Sequence, residues 1–198
     1  MKKETSDTLN PAAMEAAHVV VAPSKRTGAD YVALGVATCG VGLIPFAPGT
    51  WGSAVGVCLY LLIRAYGFGG GGAGVASAET NAALLTSLLL VVIIAVSLAG
   101  AWAATRCERL VRRKDPGVVV IDEVAGQLIT FLFVPWGAGP WAVAAGFLAF
   151  RLFDIWKPYP INRLEALESG LGVMADDVLA GAYAATLLSL LTATHILL

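Results

Sequence analysis

The sequence predicts an all-α fold, a multi-helix integral membrane bundle in which some helices are short or re-entrant. The first observation behind this prediction is composition: 58% of the 198 residues are hydrophobic and 14% are charged. Soluble domains average about half apolar and about a quarter charged residues, so lipid is the expected solvent. The second observation is a succession of long apolar segments. The third is that, among the connections between these segments, only alternate ones carry lysine and arginine, as in multi-pass membrane proteins.

Five apolar segments follow one another along the chain, at residues 52–66, 82–104, 119–134, 141–156 and 178–198. Only the second and the fifth reach the length of about 20 residues that crosses a bilayer core. The other three are therefore expected to be short, tilted or partly embedded. A further apolar stretch, Tyr31 to Ile44, is interrupted by glycines and predicts a re-entrant or interfacial helix.

The first 30 residues predict a flexible cytoplasmic tail. They open on the polar stretch Met1 to Asn10, and no small-residue cleavage site follows the short apolar stretch near residues 16–22, so a removed secretory signal is not expected. Residues 31–198 are then expected to form one membrane-embedded domain.

Lysine and arginine set the expected orientation, because short cytoplasmic loops of membrane proteins are enriched in them. They precede the first segment and follow the second and the fourth: Lys25, Arg26, Arg106, Arg109, Arg112, Arg113, Lys114, Lys157 and Arg163. The connections Gly67 to Ala78 and Pro135 to Pro140 carry no charge, which suits the opposite side. The run Arg106 to Lys114 also has a plain interpretation as a solvated helical extension that stops at Asp115-Pro116-Gly117.

Several function classes are disfavoured by what the chain lacks. The net charge is −1, so no basic field is available for a polyanion and nucleic acid is not an expected partner. His18 and His195 lie in the tail and at the C-terminal end, away from any shared face. The scattered cysteines suit neither a disulfide framework nor a zinc cluster and are interpreted as small packing residues: Cys39, Cys58 and Cys107.

Four polar blocks interrupt the apolar chain, at residues 42–53, 121–127, 151–158 and 172–177. In the orientation above, the first precedes segment one, the second opens segment three, the third closes segment four and the fourth opens segment five. All four therefore fall at the cytoplasmic membrane surface. Dispersed blocks that converge on one face are what a single active site requires.

Five carboxylates lie in these blocks, where a membrane protein accommodates unpaired charge poorly. They are expected to hold a cation and to carry the catalysis: Asp122, Glu123, Asp154, Asp176 and Asp177. Hard oxygen ligands without a nearby histidine or cysteine favour Mg²⁺, which keeps several waters and often bridges carboxylates to a substrate phosphate. The sequence therefore predicts a magnesium site that acts on a phosphate group.

Two bases flank Asp154 and are predicted to bind the substrate phosphate. Arg151 offers a bidentate fork and Lys157 a point charge, and Lys157 is also a candidate catalytic residue. The turn at Pro48-Gly49-Thr50 precedes a helix whose N-terminus favours negative charge. The hydroxyl groups of Thr50 and Ser53 are therefore predicted to contact the same anion.

Each of these features has a plainer alternative. The pairs Asp122-Glu123 and Asp176-Asp177 are expected to lie in first helical turns, where acids cap the helix and complement its dipole. Arg151 and Asp154 have the i,i+3 spacing of a surface ion pair. Five acids and two bases are nevertheless predicted to converge on one face, and this convergence favours a functional site over separate structural roles for each residue.

The four blocks, in this order and spacing, resemble the phosphatidylglycerophosphatase A family of bacterial membrane enzymes. The resemblance covers roughly residues 31–185, and its most specific parts are 48–53, Asp122-Glu123, 150–161 and 172–181. It implies a mostly helical fold, Mg²⁺ dependence, and hydrolysis of phosphatidylglycerophosphate to phosphatidylglycerol and phosphate. The implied partners are a phospholipid substrate and the bacterial inner membrane, with the active site on its cytoplasmic face. Oligomeric state stays open.

Two rival functions remain open from the residues alone. The same site would serve a phosphatase of another lipid phosphate, such as phosphatidic acid or a polyprenyl phosphate. A non-catalytic transporter or cation-binding membrane protein would also need acids, but along the middle of its helices. Residues 82–104 and 178–194 contain none, which favours a surface site. Which acid serves as base, and whether Thr50 or an aspartate attacks directly, stays undecided.

Overall fold

The computed structural model describes residues 26–69, 78–135, 137–164, 167 and 169–197. All regular structure within these residues is helical. In chain order the elements are α1 Gly28–Thr38, a 3-10 turn Val41–Leu43, α2 Pro48–Gly69, α3 Ala78–Val111, α4 Ile121–Thr130, α5 Pro140–Trp156, α6 Ile161–Leu164 and α7 Ser169–Leu197.

The helices confirm the predicted all-α bundle. Each of the five apolar segments lies largely within one helix, and the glycine-interrupted stretch Tyr31 to Ile44 forms α1 and the 3-10 turn. By length and composition, two helices could cross a membrane, through Glu79–Val111 in α3 and Ser169–Thr194 in α7. These are the same two segments that the sequence predicts to be long enough. Of the predicted tail, residues 1–25 lie outside the described residues, and residues 28–30 begin α1.

The bundle is built around α4, which is only ten residues long and almost entirely buried. It contacts α1, α2, α3, α5 and α7. These helices share one apolar core with α4, in which Val124, Ala125 and Leu128 have no more than 2% of their surface exposed. A helix too short to span a bilayer is therefore enclosed by longer helices.

Glycines allow the neighbouring helices to approach α4 closely. A side chain on Gly181 of α7 would overlap the backbone carbonyl of Gly126 in α4, and one on Gly126 would lie 2.6 Å from the Asp177 carbonyl oxygen. On the other side, a Cβ on Gly56 of α2 would lie 2.8 Å from the Gln127 Cβ. Small residues at such positions are how helices pack in membranes, where the hydrophobic effect does not drive them together.

Helix α1 is attached to α3 by an ion pair between Arg106 Nε and Asp30 Oδ1 at 2.6 Å. Asp30 also accepts hydrogen bonds from the backbone N–H and the hydroxyl of Thr27, which caps α1. The interpretation of the run Arg106 to Lys114 as a solvated extension is thus wrong for Arg106, which is partly buried in this contact. Helix α3 ends at Val111, and Arg112 adopts a positive φ of 55°, so the helix stops before the predicted Asp115.

The Asp30 contacts also give α1 a dependence on pH. The Thr27 backbone N–H, followed by the Arg106 and Thr27 side chains, lowers the Asp30 pKa from 3.8 to about 2. Because the folded-state pKa is depressed, this stabilisation is present above about pH 4 and is lost as the pH falls toward 2.

The ends of the helices separate into two groups. The N-termini of α2, α4 and α7 and the C-termini of α3 and α5 lie at one end, where the polar blocks meet. At the other end, Arg64 near the end of α2 donates a hydrogen bond of 3.1 Å to the Ala138 carbonyl oxygen, in the loop before α5. Ala138, in the uncharged connection before α5, is therefore at the end opposite the basic loops, as predicted. Residue 136 of this connection and residues 70–77 of the other uncharged connection lie outside the described residues.

The glycine contact between α4 and α7 can be tested by adding a single methyl group. We expect Gly181→Ala to separate the two helices and to destabilise the protein by about 1–3 kcal/mol, as overpacking of a filled core does. Thermal unfolding in detergent would measure this. Gly35→Ala on α1 is the matched control, because a Cβ there meets nothing within 4 Å. Equal melting temperatures for the two variants would contradict the packing argument.

Candidate functional site

The polar blocks meet in a cleft of about 380 Å³ at one end of the bundle. Five elements supply its walls: the turn before α2, the loop after α3, the start of α4, the end of α5 and the third turn of α7. The lining includes all five predicted carboxylates and both predicted bases: Asp122, Glu123, Asp154, Asp176, Asp177, Arg151 and Lys157. The convergence predicted from the four separated blocks is therefore present in the fold.

Three of the carboxylates form a compact cluster. Oxygen atoms of Asp122, Glu123 and Asp177 lie within 4.8 Å of one another. Asp122 Oδ1 and Glu123 Oε2 are buried and have no hydrogen-bond partner among the described residues. Buried carboxylate oxygens of this kind need a cation or a proton. The donor set, three carboxylates with open lone pairs, fits a hard divalent ion.

The cluster is also electrostatically unfavourable without a cation. Burial raises the pKa of Asp122 well above its usual range, and the neighbouring Glu123 and Asp177 carboxylates raise it further. Burial likewise raises the pKa of Glu123. Both residues lie in the first turn of α4, outside the two helices that are long enough to span a membrane. A bound cation would supply the positive charge that allows all three acids to be ionised together.

The other two carboxylates pair with the two bases. Arg151 Nη1 donates to Asp154 Oδ2 one turn along α5, and Lys157 Nζ lies 2.7 Å from Asp176 Oδ2 across the gap between α5 and α7. The five predicted metal ligands thus divide into a cluster of three and two ion pairs. The ion pairs keep two positive side chains at the edge of the acidic cluster, where a phosphate would meet both.

The position of Asp176 and Asp177 on their helix removes one plain alternative. Helix α7 begins at Ser169, so these two acids lie in its third turn, where dipole complementation has faded. The prediction that they occupy a first turn is wrong because α7 starts nine residues before the apolar segment at 178. Asp122 and Glu123 do lie in the first turn of α4.

Strained backbone is concentrated around the cleft. Six described residues other than glycine have positive φ, and three of them line the cleft: Ala47, Asp115 and Lys157. Each such residue costs on the order of 1–3 kcal/mol, and persists where the surrounding structure imposes it, most often at functional sites. Lys157 ends α5 in the left-handed region, and its backbone N–H donates a hydrogen bond of 2.8 Å to the Phe153 carbonyl oxygen. This backbone conformation directs the Lys157 side chain toward Asp176.

The first turn of α2 brings backbone close to the acids and bases. The residues Pro48-Gly49-Thr50, predicted to form a turn before the helix, are its first three residues. A side chain at Gly49 would overlap Glu123 Oε1 and would lie 3.0 Å from Arg151 Nη1, so only glycine fits between them. Thr50 lies next to this position on α2. Ser53 is fully buried one turn further, and its hydroxyl donates to the Gly49 carbonyl oxygen at 2.9 Å. Substrate binding by Thr50 and Ser53 stays a prediction, and Ser53 already has an internal hydrogen-bond partner.

The cleft contains one acidic residue that is not among the predicted site residues. Asp115 lines the cleft from the loop after α3, and its charge acts on both Asp122 and Asp176. In the sequence it is part of Asp115-Pro116-Gly117, which was interpreted only as a helix stop. The available signal was its place in a connection predicted to lie on the same face as the other five acids.

Comparison with known proteins identifies relatives along most of the chain. A family model described as Phosphatidylglycerophosphatase A matches residues 35–192. A Bacteroides thetaiotaomicron protein named "Putative phosphatidylinositol-3-phosphatase" is 39% identical over 158 residues, 76% of this chain and 86% of the relative. Proteins named phosphatidylglycerophosphatase A from Haemophilus influenzae and Escherichia coli are 35% and 31% identical, over 73% and 75% of this chain and 78% and 76% of their own lengths. No solved structure matches the chain.

Binding of a divalent cation by the acidic cluster can be measured without reference to any reaction. We expect the purified protein to bind Mn²⁺, a spectroscopic substitute for Mg²⁺, and Asp177→Asn to weaken this binding at least tenfold because a charged ligand is lost. Electron paramagnetic resonance titration would report it. Glu79→Gln, at the exposed start of α3, is the matched control. Wild-type affinity in Asp177→Asn would remove this residue from the metal site.

Proposed function

We propose that this chain, which belongs to the phosphatidylglycerophosphatase A family, hydrolyses phosphatidylglycerophosphate with the acidic cluster and the two bases of its cleft. The observation that carries the proposal is the three converging carboxylates, two with unpaired buried oxygens, beside Arg151 and Lys157. Family membership makes the chain a phosphatase of phosphate monoesters. The assignment of roles to individual residues is the part that we propose.

The proposed metal is Mg²⁺, held by Asp122, Glu123 and Asp177. When bound it would supply positive charge to the phosphoryl oxygens, which carry more charge as the transition state forms. Carboxylates as the sole protein ligands support Mg²⁺ over softer metals, because no described histidine or cysteine lies in the cluster,. Asp176 is proposed to act through Lys157, which it holds in place, whereas Asp154 both holds Arg151 and takes part in proton transfer.

Arg151 and Lys157 are proposed to bind the phosphate oxygens. Their ion pairs with Asp154 and Asp176 keep both side chains extended toward the cleft before the substrate arrives, so little ordering is needed on binding. Arg151 can exchange one carboxylate contact for a bidentate phosphate contact, whereas Lys157 acts as a point charge. Gly49, in the first turn of α2, keeps the backbone close to Glu123 and Arg151, because any side chain there would overlap Glu123 Oε1.

The hydrolysis consumes one water. Its oxygen forms a bond to phosphorus, the bond between phosphorus and the terminal glycerol oxygen breaks, and the proton removed from water is delivered to the leaving glycerol oxygen. Asp154 is proposed as the acceptor of the water proton, because it lies beside both Glu123 and Asp177 and is outside the proposed ligand set. The products are phosphatidylglycerol and inorganic phosphate.

The chain is associated with the membrane, and we propose that it is a multi-pass protein of the bacterial inner membrane with its cleft on the cytoplasmic side. Exposed aromatic residues around the cleft support a position at the headgroup level, where tryptophan and tyrosine are enriched: Trp51, Trp156 and Tyr159. Exposed Trp141 begins α5 at the other end, as a second interface would require. The basic loops near the cleft fit the rule that cytoplasmic loops are positive.

A second lipid phosphate is also a candidate substrate. The Bacteroides thetaiotaomicron relative is named for a phosphatase of phosphatidylinositol 3-phosphate, and the cleft recognises phosphate with groups that are indifferent to the alcohol beyond it. Phosphate release from a panel of defined lipid phosphates, by the purified protein in detergent, distinguishes the two. We propose phosphatidylglycerophosphate as the preferred substrate.

Turnover is expected to depend on the metal and on the cluster as one unit. Excess chelator should abolish phosphate release and Mg²⁺ should restore it, while Asp122→Asn and Asp177→Asn should each lower the rate by about 10²-fold or more. The double variant should be scarcely slower than the slower single variant, because residues that act together are not additive. Glu79→Gln is again the control. Single variants that keep more than about a tenth of wild-type activity, a barrier change below about 1.4 kcal/mol, would refute the site assignment.

The orientation can be tested by labelling single cysteines in a background without the three native ones. A cysteine replacing exposed Gly137, where a Cβ meets nothing within 4 Å, should react with a membrane-impermeant maleimide on intact cells. A cysteine replacing exposed Lys114 should react only after the membrane is opened, because its loop borders the cleft. The reverse pattern would place the cleft on the outer side.

A further inference from the structure

A long apolar groove separates α2 from α5 between the cleft and the opposite end of the bundle. It encloses about 910 Å³, near the upper end of the range of roughly 300–1,000 Å³ that is usual for ligand pockets. One wall is a face of α2 that includes Val57 and Leu61, and the other is a face of α5 that includes Val143 and Phe147. Nearly all of the lining is apolar.

The two helices are held together at both ends of this groove and are apart in between. At the cleft end, a Cβ on Gly49 of α2 would lie 3.0 Å from Arg151 Nη1 of α5. At the far end, Arg64 Nη2 donates to the Ala138 carbonyl oxygen at 3.1 Å. The groove is thus a defined space bounded by two contacts, and not a gap between helices that fail to pack.

The groove leads directly to the phosphate end of the cleft. On α5, Phe147 of the groove and Arg151 of the cleft are four residues apart and therefore lie on the same face, one turn from each other,. On α2, Ala54 of the groove lies one turn beyond Thr50, which is next to Gly49. A ligand with its phosphate at Arg151 would extend along the groove.

The length of the groove matches the acyl chains of one leaflet. Ala54 and Ala65 line its two ends on α2, and their separation of eleven residues corresponds to about 16 Å along a helix. Half of a bilayer core of about 30 Å is about 15 Å. A chain that starts at headgroup level beside Arg151 would therefore end near the bilayer midplane, at the far end of the groove.

A second groove, between the end of α4 and α7, lacks this connection. It encloses about 530 Å³ and is lined by residues that include Ile129, Ala182 and Ser189. The close contact of Gly126 with Gly181 and with the Asp177 backbone lies between this groove and the acidic cluster. A chain in the second groove could not be continuous with a headgroup in the cleft.

We propose that the groove between α2 and α5 holds an acyl chain of the lipid whose phosphate is in the cleft, an inference that rests on the proposed function. The acyl chain enters the groove from a bilayer that is equally apolar, so its binding gains little from the hydrophobic effect. The gain is orientation: a chain fixed in the groove directs the phosphomonoester at the bases and the acidic cluster, and small errors in such positioning slow reactions strongly. The second acyl chain stays in the bilayer.

The test fills the groove with a side chain and compares substrates that differ only in their chains. Ala144→Phe on α5 and Cys58→Phe on α2 obstruct the groove from opposite walls, both at exposed positions. Ala182→Phe places the same side chain in the second groove as the matched control. We expect the two groove variants to lower kcat at least tenfold for dipalmitoyl phosphatidylglycerophosphate and less than twofold for the chainless headgroup, glycerophosphoglycerophosphate. Ala182→Phe should leave both rates within twofold.

Equal long-chain turnover in Ala144→Phe and Ala182→Phe would overturn the inference, and so would an equal loss on both substrates. Neither result would affect the proposed function, which depends on wild-type phosphate release alone.

A crosslinking experiment tests the same inference without turnover. Dipalmitoyl-type phosphatidic acid carrying a diazirine midway along one chain should crosslink to peptides of α2 and α5 in the wild type, and at least fivefold less in Ala144→Phe. Crosslinking confined to other helices would place the acyl chain outside the groove and would overturn the inference.

Discussion

The close approach of α4 to α7 is the constraint on which the rest of the site depends. Asp122 and Glu123 come from α4 and Asp177 from α7, so their oxygens lie within 4.8 Å of one another only if the two helix backbones nearly touch. Gly126 and Gly181 make that distance possible. In water the hydrophobic effect would help to hold such helices together, but within lipid the attraction comes mainly from this packing. The same glycine contact that packs α4 against α7 therefore also determines where the three carboxylates lie.

Charge in the cleft is arranged in two layers. The inner layer is the carboxylate cluster, which is buried and has unpaired oxygens. The outer layer consists of the pairs Arg151 with Asp154 and Lys157 with Asp176. Partly buried ion pairs of this kind contribute little net stability after desolvation, so their value is better understood as positioning. They keep positive side chains beside the cluster without neutralising it. A phosphate would suit a site in which two bases lie beside a cluster that could hold a cation.

Much of this architecture could be predicted from the sequence, because hydropathy and positive charge report directly on lipid exposure and orientation. The helices, the two long spans and the convergence of the polar blocks follow from those signals alone. The i,i+3 spacing of Arg151 and Asp154 indicates one of the two ion pairs. The pairing of Lys157 with Asp176 could not be predicted, since it depends on how α5 and α7 lie side by side. The Arg106 contact with Asp30 joins residues 76 positions apart, and nothing in either local pattern indicates it. The position of Asp115 in the cleft was not predicted, because Asp115-Pro116-Gly117 is already explained as a helix stop.

The burial of α4 has a consequence for how the protein is made. Ten residues form a helix of about 15 Å, half the thickness of a bilayer core, and two of its first three side chains are carboxylates. Such a segment is not expected to insert into lipid by itself, because it is short and carries two carboxylates. α4 packs most extensively on α7, which is made after it, although α1, α2 and α3 are made before it and contact it as well. The acidic cluster needs Asp177 of α7, so the polar centre of the bundle can be completed only after the second long span has been synthesised. We therefore expect the membrane insertion of the first long span and the assembly of the polar centre to be separate events in time.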